Sequence, residues 1–328
     1  MPSPGGKSGR WSSWKRGLLL WGLSGAALAV GSWLGCPGAR VTPAIVSREE
    51  GVVSHVPAPV SSGTAPVLLA AGDIGNCGTS ADTQTGLLLD GLPGTIAVLG
   101  DIAYSRGSPS QFAECFEPVW GRHKARMRPT PGNHEYLTSG ARGYFGYFGA
   151  AAGDPDKGYY SYDLGDWHVV VLNSNCSEVG GCEAGSPQEQ WLRLDLAAHR
   201  TPCTLAYWHH PRFSSGPHGD ETRMTALWRT LEAYGADVVL SGHDHHYERW
   251  KPRDASGNES AEGLVQFVVG TGGTSLRGFG SEQPAHSVVR DASTWGVLKL
   301  TLHATSYDWE FVPIAGQTFT DKGSASCH

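Results

Sequence analysis

Asp, Asn, His and Tyr side chains stand just beyond five short apolar runs of this chain, and these are residue types that bind metal cations. The runs are residues 67–71 before Gly72 and Asp73, 95–99 before Gly100 and Asp101, 128–131 before Gly132 and Asn133, 204–208 before His209, and 237–240 before Ser241, Gly242 and His243. Taken singly, a Gly and Asp after such a run reads as a turn, and neighbouring histidines read as a solvated loop. Taken together, they bring carboxylate, amide and imidazole donors to successive strand ends, and Tyr104 adds a phenol shortly after Asp101. Carboxylate and phenolate oxygens suit a hard trivalent cation, whereas imidazoles with an amide oxygen suit a divalent one.

In order along the chain, the segments Gly72-Asp73-Ile74-Gly75, Gly100-Asp101-Ile102-Ala103-Tyr104, Gly132-Asn133-His134-Glu135, His209 and Gly242-His243-Asp244-His245 resemble the metallophosphoesterase signature. The resemblance covers about residues 67–250, and the tyrosine closing the second segment is similar to the mark of the purple acid phosphatases. Many other members of that superfamily carry a His two residues after the first Asp; here that position is Gly75, which separates the chain from the cyclic-nucleotide phosphodiesterase branch.

The resemblance implies a two-metal centre. Asp73, Tyr104 and His245 would hold a ferric ion, and Asn133, His209 and His243 a divalent iron, zinc or manganese, with Asp101 bridging. His209 is preferred to His210 because the family pattern sets the ligand two residues before Pro211, and His245 to His246 because it completes the Gly-His-x-His segment. It further implies hydrolysis of phosphate monoesters on small phosphorylated substrates by in-line attack of a metal-bound hydroxide. His134 would bind the phosphoryl group and protonate the leaving group, with His218 as a second catalytic, substrate-facing histidine. Two cations of charge three and two about 3.5 Å apart repel by on the order of 30 kcal/mol at an effective dielectric of 20, which the anionic ligands must offset. The alternative readings are a phosphodiesterase acting on an exported or lipid-derived substrate, and a catalytically silent exported binding protein of the same fold.

The elements that must position these groups alternate. Helical patterns over residues 80–90, 108–120, 187–199 and 221–234 lie between the strand-like runs, and Pro187 after Ser186 is a helix-start signal. Hairpins are expected over 159–172, turning at Gly165 and Asp166, and over 295–312, turning near His303 and Ala304. Parallel units with antiparallel additions predict an α/β domain over residues 65–328, a four-layer α/β/β/α sandwich of two mixed sheets. The metals would then lie at one edge of the sheets, beyond the strands' carboxyl ends.

Lys7, Arg10, Lys15 and Arg16 precede an apolar run from Leu18 to about Val30, the layout of a signal peptide over residues 1–35. That run is shorter than the ~20 residues of a membrane span, so no stable span is expected after processing and the protein is read as exported, with lipidation at Cys36 as an alternative. Residues 36–64, rich in Pro and Ser, read as a tether. Residues 1–35 hold four basic and no acidic residues, so the charge is −10 without them against −6 for the whole chain. An acidic body excludes nucleic acid as a partner. Cys77, Cys115, Cys176, Cys182, Cys203 and Cys327 allow disulfides in an exported protein, Cys176 with Cys182 foremost. His123, His168, His199, His286 and His303 read as structural or exposed, and Tyr136, Tyr144, Phe145, Tyr147 and Phe148 as aromatics that could line the mouth of the site. No sequence feature sets an oligomeric state.

Overall fold

Runs of Val, Leu, Ile and Ala bounded by glycine form strands here because branched side chains pack well on a pleated surface. The computed structural model describes residues 64–328. The expected leader and all but the last residue of the expected tether lie outside the described residues. In chain order the strands are β1 (Val67–Ala71), β2 (Thr95–Leu99), β3 (Met127–Thr130), β4 (Tyr160–Leu164), β5 (Trp167–Val171), β6 (Cys203–Tyr207), β7 (Val238–Ser241), β8 (Tyr247–Trp250), β9 (Val265–Val269), β10 (Ser287–Asp291), β11 (Gly296–His303), β12 (Ser306–Pro313) and β13 (Lys322–Ser326). The helices are α1 (Ala81–Gly91), α2 (Pro109–Gln111), α3 (Asn133–Tyr136), α4 (Arg142–Phe148), α5 (Pro187–Ala198) and α6 (Thr225–Ala233).

Two mixed sheets result, a six-stranded one in the order β13-β12-β11-β1-β2-β3 and a seven-stranded one in the order β10-β8-β9-β7-β6-β5-β4. The parallel pairs are β1–β2, β2–β3, β5–β6, β6–β7 and β7–β9. Both expected hairpins are present, pairing β4 with β5 and β11 with β12. Alternation along each strand divides the second sheet's side chains between two cores. Val169, Val171, Leu205, Tyr207, Val238 and Leu240 join a core shared with the first sheet, while Val170, Ala206 and Val239 pack with Leu192 and Leu196 of α5 and Leu227, Trp228 and Leu231 of α6. On the first sheet, Leu89 of α1 with Phe112, Phe116 and Trp120 completes the layering. This is the four-layer α/β/β/α arrangement.

Two local expectations change. The helix expected over residues 108–120 breaks up: α2 opens with Ser108 Oγ accepting from Gln111 N at 3.2 Å, and a wide turn closed by Glu117 N donating to Phe112 O at 2.8 Å follows. Phe112, Phe116 and Trp120 are still buried, so the spacing of apolar residues marked a buried face without marking one regular helix. Three of the five clustered aromatics also go elsewhere, because Tyr144, Phe145 and Phe148 are buried in the inter-element core, where they offer apolar area rather than a rim to the site.

Three disulfides form, Cys77–Cys115, Cys176–Cys182 and Cys203–Cys327. The second is the pairing expected from the short loop. The third fastens the segment after β13 of one sheet to β6 of the other.

Candidate metal centre

Each segment that was singled out begins where a parallel strand ends. Asp73 follows β1, Asp101 and Tyr104 follow β2, Asn133 follows β3, His209 follows β6, and His243 and His245 follow β7. The sheets meet at this edge: Gly72 N donates to Val269 O at 2.9 Å, His209 Nδ1 lies 2.7 Å from Leu99 O, and His243 N donates to Asp73 Oδ2 at 2.8 Å. Donors from both halves of the chain therefore converge between the sheets.

The backbone there is held in unusual conformations. Asp73, Asp101 and His243 have φ of 61°, 50° and 69°, a left-handed region that residues other than glycine seldom occupy and that collects at functional sites. Glycine precedes these residues because the segments approach closely. A Cβ on Gly242 would come 2.7 Å from Asp73 Oδ2, and one on Gly100 would come 2.6 Å from His209 Nδ1.

The side chains form two groups joined at Asp101. In the first, Tyr104 Oη lies 2.8 Å from Asp73 Oδ1, 3.2 Å from Asp101 Oδ2 and 3.3 Å from His245 Nε2. In the second, His209 Nε2 lies 3.1 Å from Asn133 Oδ1, 3.2 Å from Asp101 Oδ2 and 3.2 Å from His243 Nδ1. A single ring N–H can serve only one of those three neighbours. The far nitrogens are already used, His209 Nδ1 on Leu99 O and His245 Nδ1 on Ser275 O at 2.8 Å. Such backbone acceptors fix a histidine's tautomer and turn the lone pair of the other nitrogen toward the site. Electron-rich atoms so crowded, with Asp73, Asp101 and His209 almost fully buried, are the chemistry of a donor set that a cation would complete.

Electrostatics without a cation agree. Burial raises the Asp101 carboxyl, but the charge and hydrogen bond of His209, then His134, hold it far below the usual carboxylate range. Burial lowers His209, and Asp101 and Asp73 overcome this to push it up to about 9. Burial, then Asp101 and Asp73, push the Tyr104 phenol well above its ordinary value, so with no cation it keeps its proton and donates it to Asp73.

The flanking histidines separate cleanly. His210 Nδ1 lies 2.8 Å from Ser174 Oγ, and burial followed by the His209 charge pulls its pKa down to about 3. His246 is buried against Glu248 at 3.3 Å. His209 and His245 are the ones that face the carboxylates. His134 is held by Nδ1 on Ser105 O at 2.6 Å, with Nε2 3.7 Å from Asp101 Oδ2 and its side chain 27% exposed. His218 packs its ring against His243 with centroids 4.2 Å apart. The five histidines read as structural or exposed make their contacts elsewhere, as His168 does between Asp163 and Asp195.

Sequence reasoning passed over Glu135. Its Oε2 accepts from Asp101 N at 2.9 Å and Gly132 N at 2.8 Å, and its Oε1 from Ile102 N at 2.8 Å and Ala103 N at 3.4 Å. Burial and the Asp101 charge push this carboxyl up to about 7, while the Gly132 and Ile102 N–H groups pull it down. With N–H donors on both oxygens, the ionised form is the one that fits. The signal was its position three residues after Gly132, the spacing of a helix-capping carboxylate.

A profile of the calcineurin-like phosphoesterases matches residues 65–247, more than half of the chain, and the chain belongs to that family. Its relatives include purple acid phosphatases. Purple acid phosphatase 18 of Arabidopsis thaliana is 28% identical over 272 residues, 74% of this chain and 58% of that protein. Purple acid phosphatase 15 of the same plant is 28% identical over 239 residues, 62% of this chain and 44% of that protein. The chain thus spans about half the length of the curated relatives it matches. Among solved structures, a purple acid phosphatase from yellow lupin (Lupinus luteus) seeds superposes with a TM-score of 0.67 at 21% identity, over 80% of this chain and 54% of that one, a likeness of fold.

Proposed function

We propose that this chain is an exported dinuclear-metal phosphoesterase that hydrolyses phosphate monoesters. The observation that carries the reading is the convergence of Asp73, Asp101, Tyr104, Asn133, His209, His243 and His245 on one small region between the sheets. Asp73, Tyr104 and His245 would hold a ferric ion and Asn133, His209 and His243 a divalent iron, zinc or manganese, with Asp101 between them. Such a pair supplies Lewis-acid stabilisation of the phosphoryl oxygens and a nucleophilic water at neutral pH.

The remaining work falls to the chain itself. Leu99 O and Ser275 O orient His209 and His245, and Glu135 holds the loop that carries Asp101. His134 is oriented by Ser105 O, which leaves Nε2 free to bind the phosphoryl group and give a proton to the departing alcohol. His218 stands at the rim behind His243. Three disulfides support an oxidising, exported location, and no helix among the described residues is long and apolar enough to cross a membrane.

The test loads the protein with iron and a divalent metal, measures metal content, and follows hydrolysis of p-nitrophenyl phosphate beside its diester. The expected outcome is two metals per chain, preferential cleavage of the monoester, and loss of activity on chelation. His134→Asn should lower kcat by about a hundredfold or more with both metals retained. A protein holding two metals that cleaves neither ester would sink the reading, and a His134 variant that loses its metals would sink the role given to His134.

A further inference from the structure

Arg277 stands beside the candidate centre without a role in it. Its segment is pinned to the site by backbone bonds: Thr274 N donates to Asp73 O at 2.9 Å, Ser275 O receives the His245 ring at 2.8 Å, and Arg277 N donates to His245 O at 2.9 Å. Its Nη1 lies 2.9 Å from Nε2 and 3.4 Å from Nδ1 of His218. Nε2 is the nearer of the two, and with Nδ1 turned to Asp244 it is the nitrogen whose lone pair the guanidinium meets. The imidazole is itself fixed, with Nδ1 2.7 Å from Oδ1 of the fully buried Asp244 and its ring against His243 at 4.2 Å.

Among the described residues Arg277 forms no ion pair, and its bonds to His218 are its side-chain hydrogen bonds. A guanidinium presents N–H groups in a rigid planar fork that matches phosphate oxygens, and a bond through Nη1 leaves the Nε and Nη2 groups unspent. From His243 the contacts run through His218 to Arg277. A phosphoryl group seated among Asp101, Asn133 and His209 has those side chains and the metals they would hold as its partners, which leaves Arg277 for a second one on the same molecule.

We propose that Arg277 is the receptor for a second phosphoryl group, so that the substrates of this centre are esters bearing two phosphates. This deepens the phosphoesterase reading and rests on it for the cleavage step. Asp244 and His218 are positioning residues that act through Arg277: the buried carboxylate fixes the imidazole, and the imidazole carries the guanidinium.

The test uses metal-loaded protein, with a fructose monophosphate and the matching fructose bisphosphate as probes for both steady-state kinetics and calorimetric binding. The wild type should favour the bisphosphate by about tenfold, the worth of one charge-assisted contact. Arg277→Met should erase that preference through KM and Kd, leaving values for the monophosphate within about twofold of wild type, and Arg277→Lys should recover part of it. The proposal is overturned if the wild type shows no preference, if the preference survives in Arg277→Met, or if that variant weakens both probes alike. Preferential binding of the bisphosphate with no hydrolysis of either probe would uphold the anion receptor and overturn the phosphoesterase reading. Hydrolysis of both without preference would do the reverse.

Discussion

Replacing Glu135 by Gln tests whether one buried carboxylate holds the loops of the centre together. The substitution keeps the shape but exchanges one acceptor oxygen for an NH2 group. Oε2 serves Asp101 N and Gly132 N at 2.9 and 2.8 Å, and Oε1 serves Ile102 N and Ala103 N at 2.8 and 3.4 Å. The amide would keep its oxygen on the stronger pair and turn its NH2 toward Ile102 and Ala103, donor against donor. One good bond and one weak bond are lost in a fully buried place, which costs about 3 kcal/mol. For a domain of this size that lowers Tm by about 6 to 12 °C. Because the loosened backbone carries Asp101, metal content should fall as well. Differential scanning calorimetry and metal analysis read the two effects. A variant within about 1 °C of wild type with its full complement of metal would refute the reasoning.

Tyr104→Phe removes the phenol oxygen that lies 2.8 Å from Asp73 Oδ1; if Tyr104 binds ferric iron, the visible absorption of the iron-loaded protein disappears, and an unchanged spectrum contradicts the ligation. His168 is buried between Asp195 and Asp163, at 2.8 and 2.9 Å. Burial lowers its pKa, but the two carboxylates raise it above the ordinary 6.5. A raised folded-state pKa gives stability that is complete below pH 6.5 and lost as pH climbs through the folded value. The Tm difference between wild type and His168→Gln should therefore be largest near pH ~6 and shrink at alkaline pH, and a difference that grows with pH would count against the ion pairs. Cys203–Cys327 closes a loop across a sequence separation of 124, so replacing both cysteines by serine should lower the unfolding free energy by up to about 5 kcal/mol. A urea midpoint equal to wild type would show that the link contributes nothing.

Composition and local pattern carried the parts of this protein that are local. Apolar runs became β1, β2, β3, β6 and β7 to within a residue at each end, because a buried strand needs little more than a short branched run and a glycine to stop it. The residue types just beyond those runs named the chemistry of the centre, and the order of the segments named the family. Tertiary structure alone decided what depends on distant partners. It turned His209 toward Asp101 and His245 toward Asp73, the members of each adjacent pair that the family pattern had favoured, since the direction of a side chain at the end of a strand is set by packing. It placed Glu135 beneath two loops and Arg277 over His218, contacts spanning 34 and 59 residues that no local period encodes. It also paired Cys77 with Cys115 and Cys203 with Cys327, because pairing follows from which Cα atoms the packed sheets bring within bonding range.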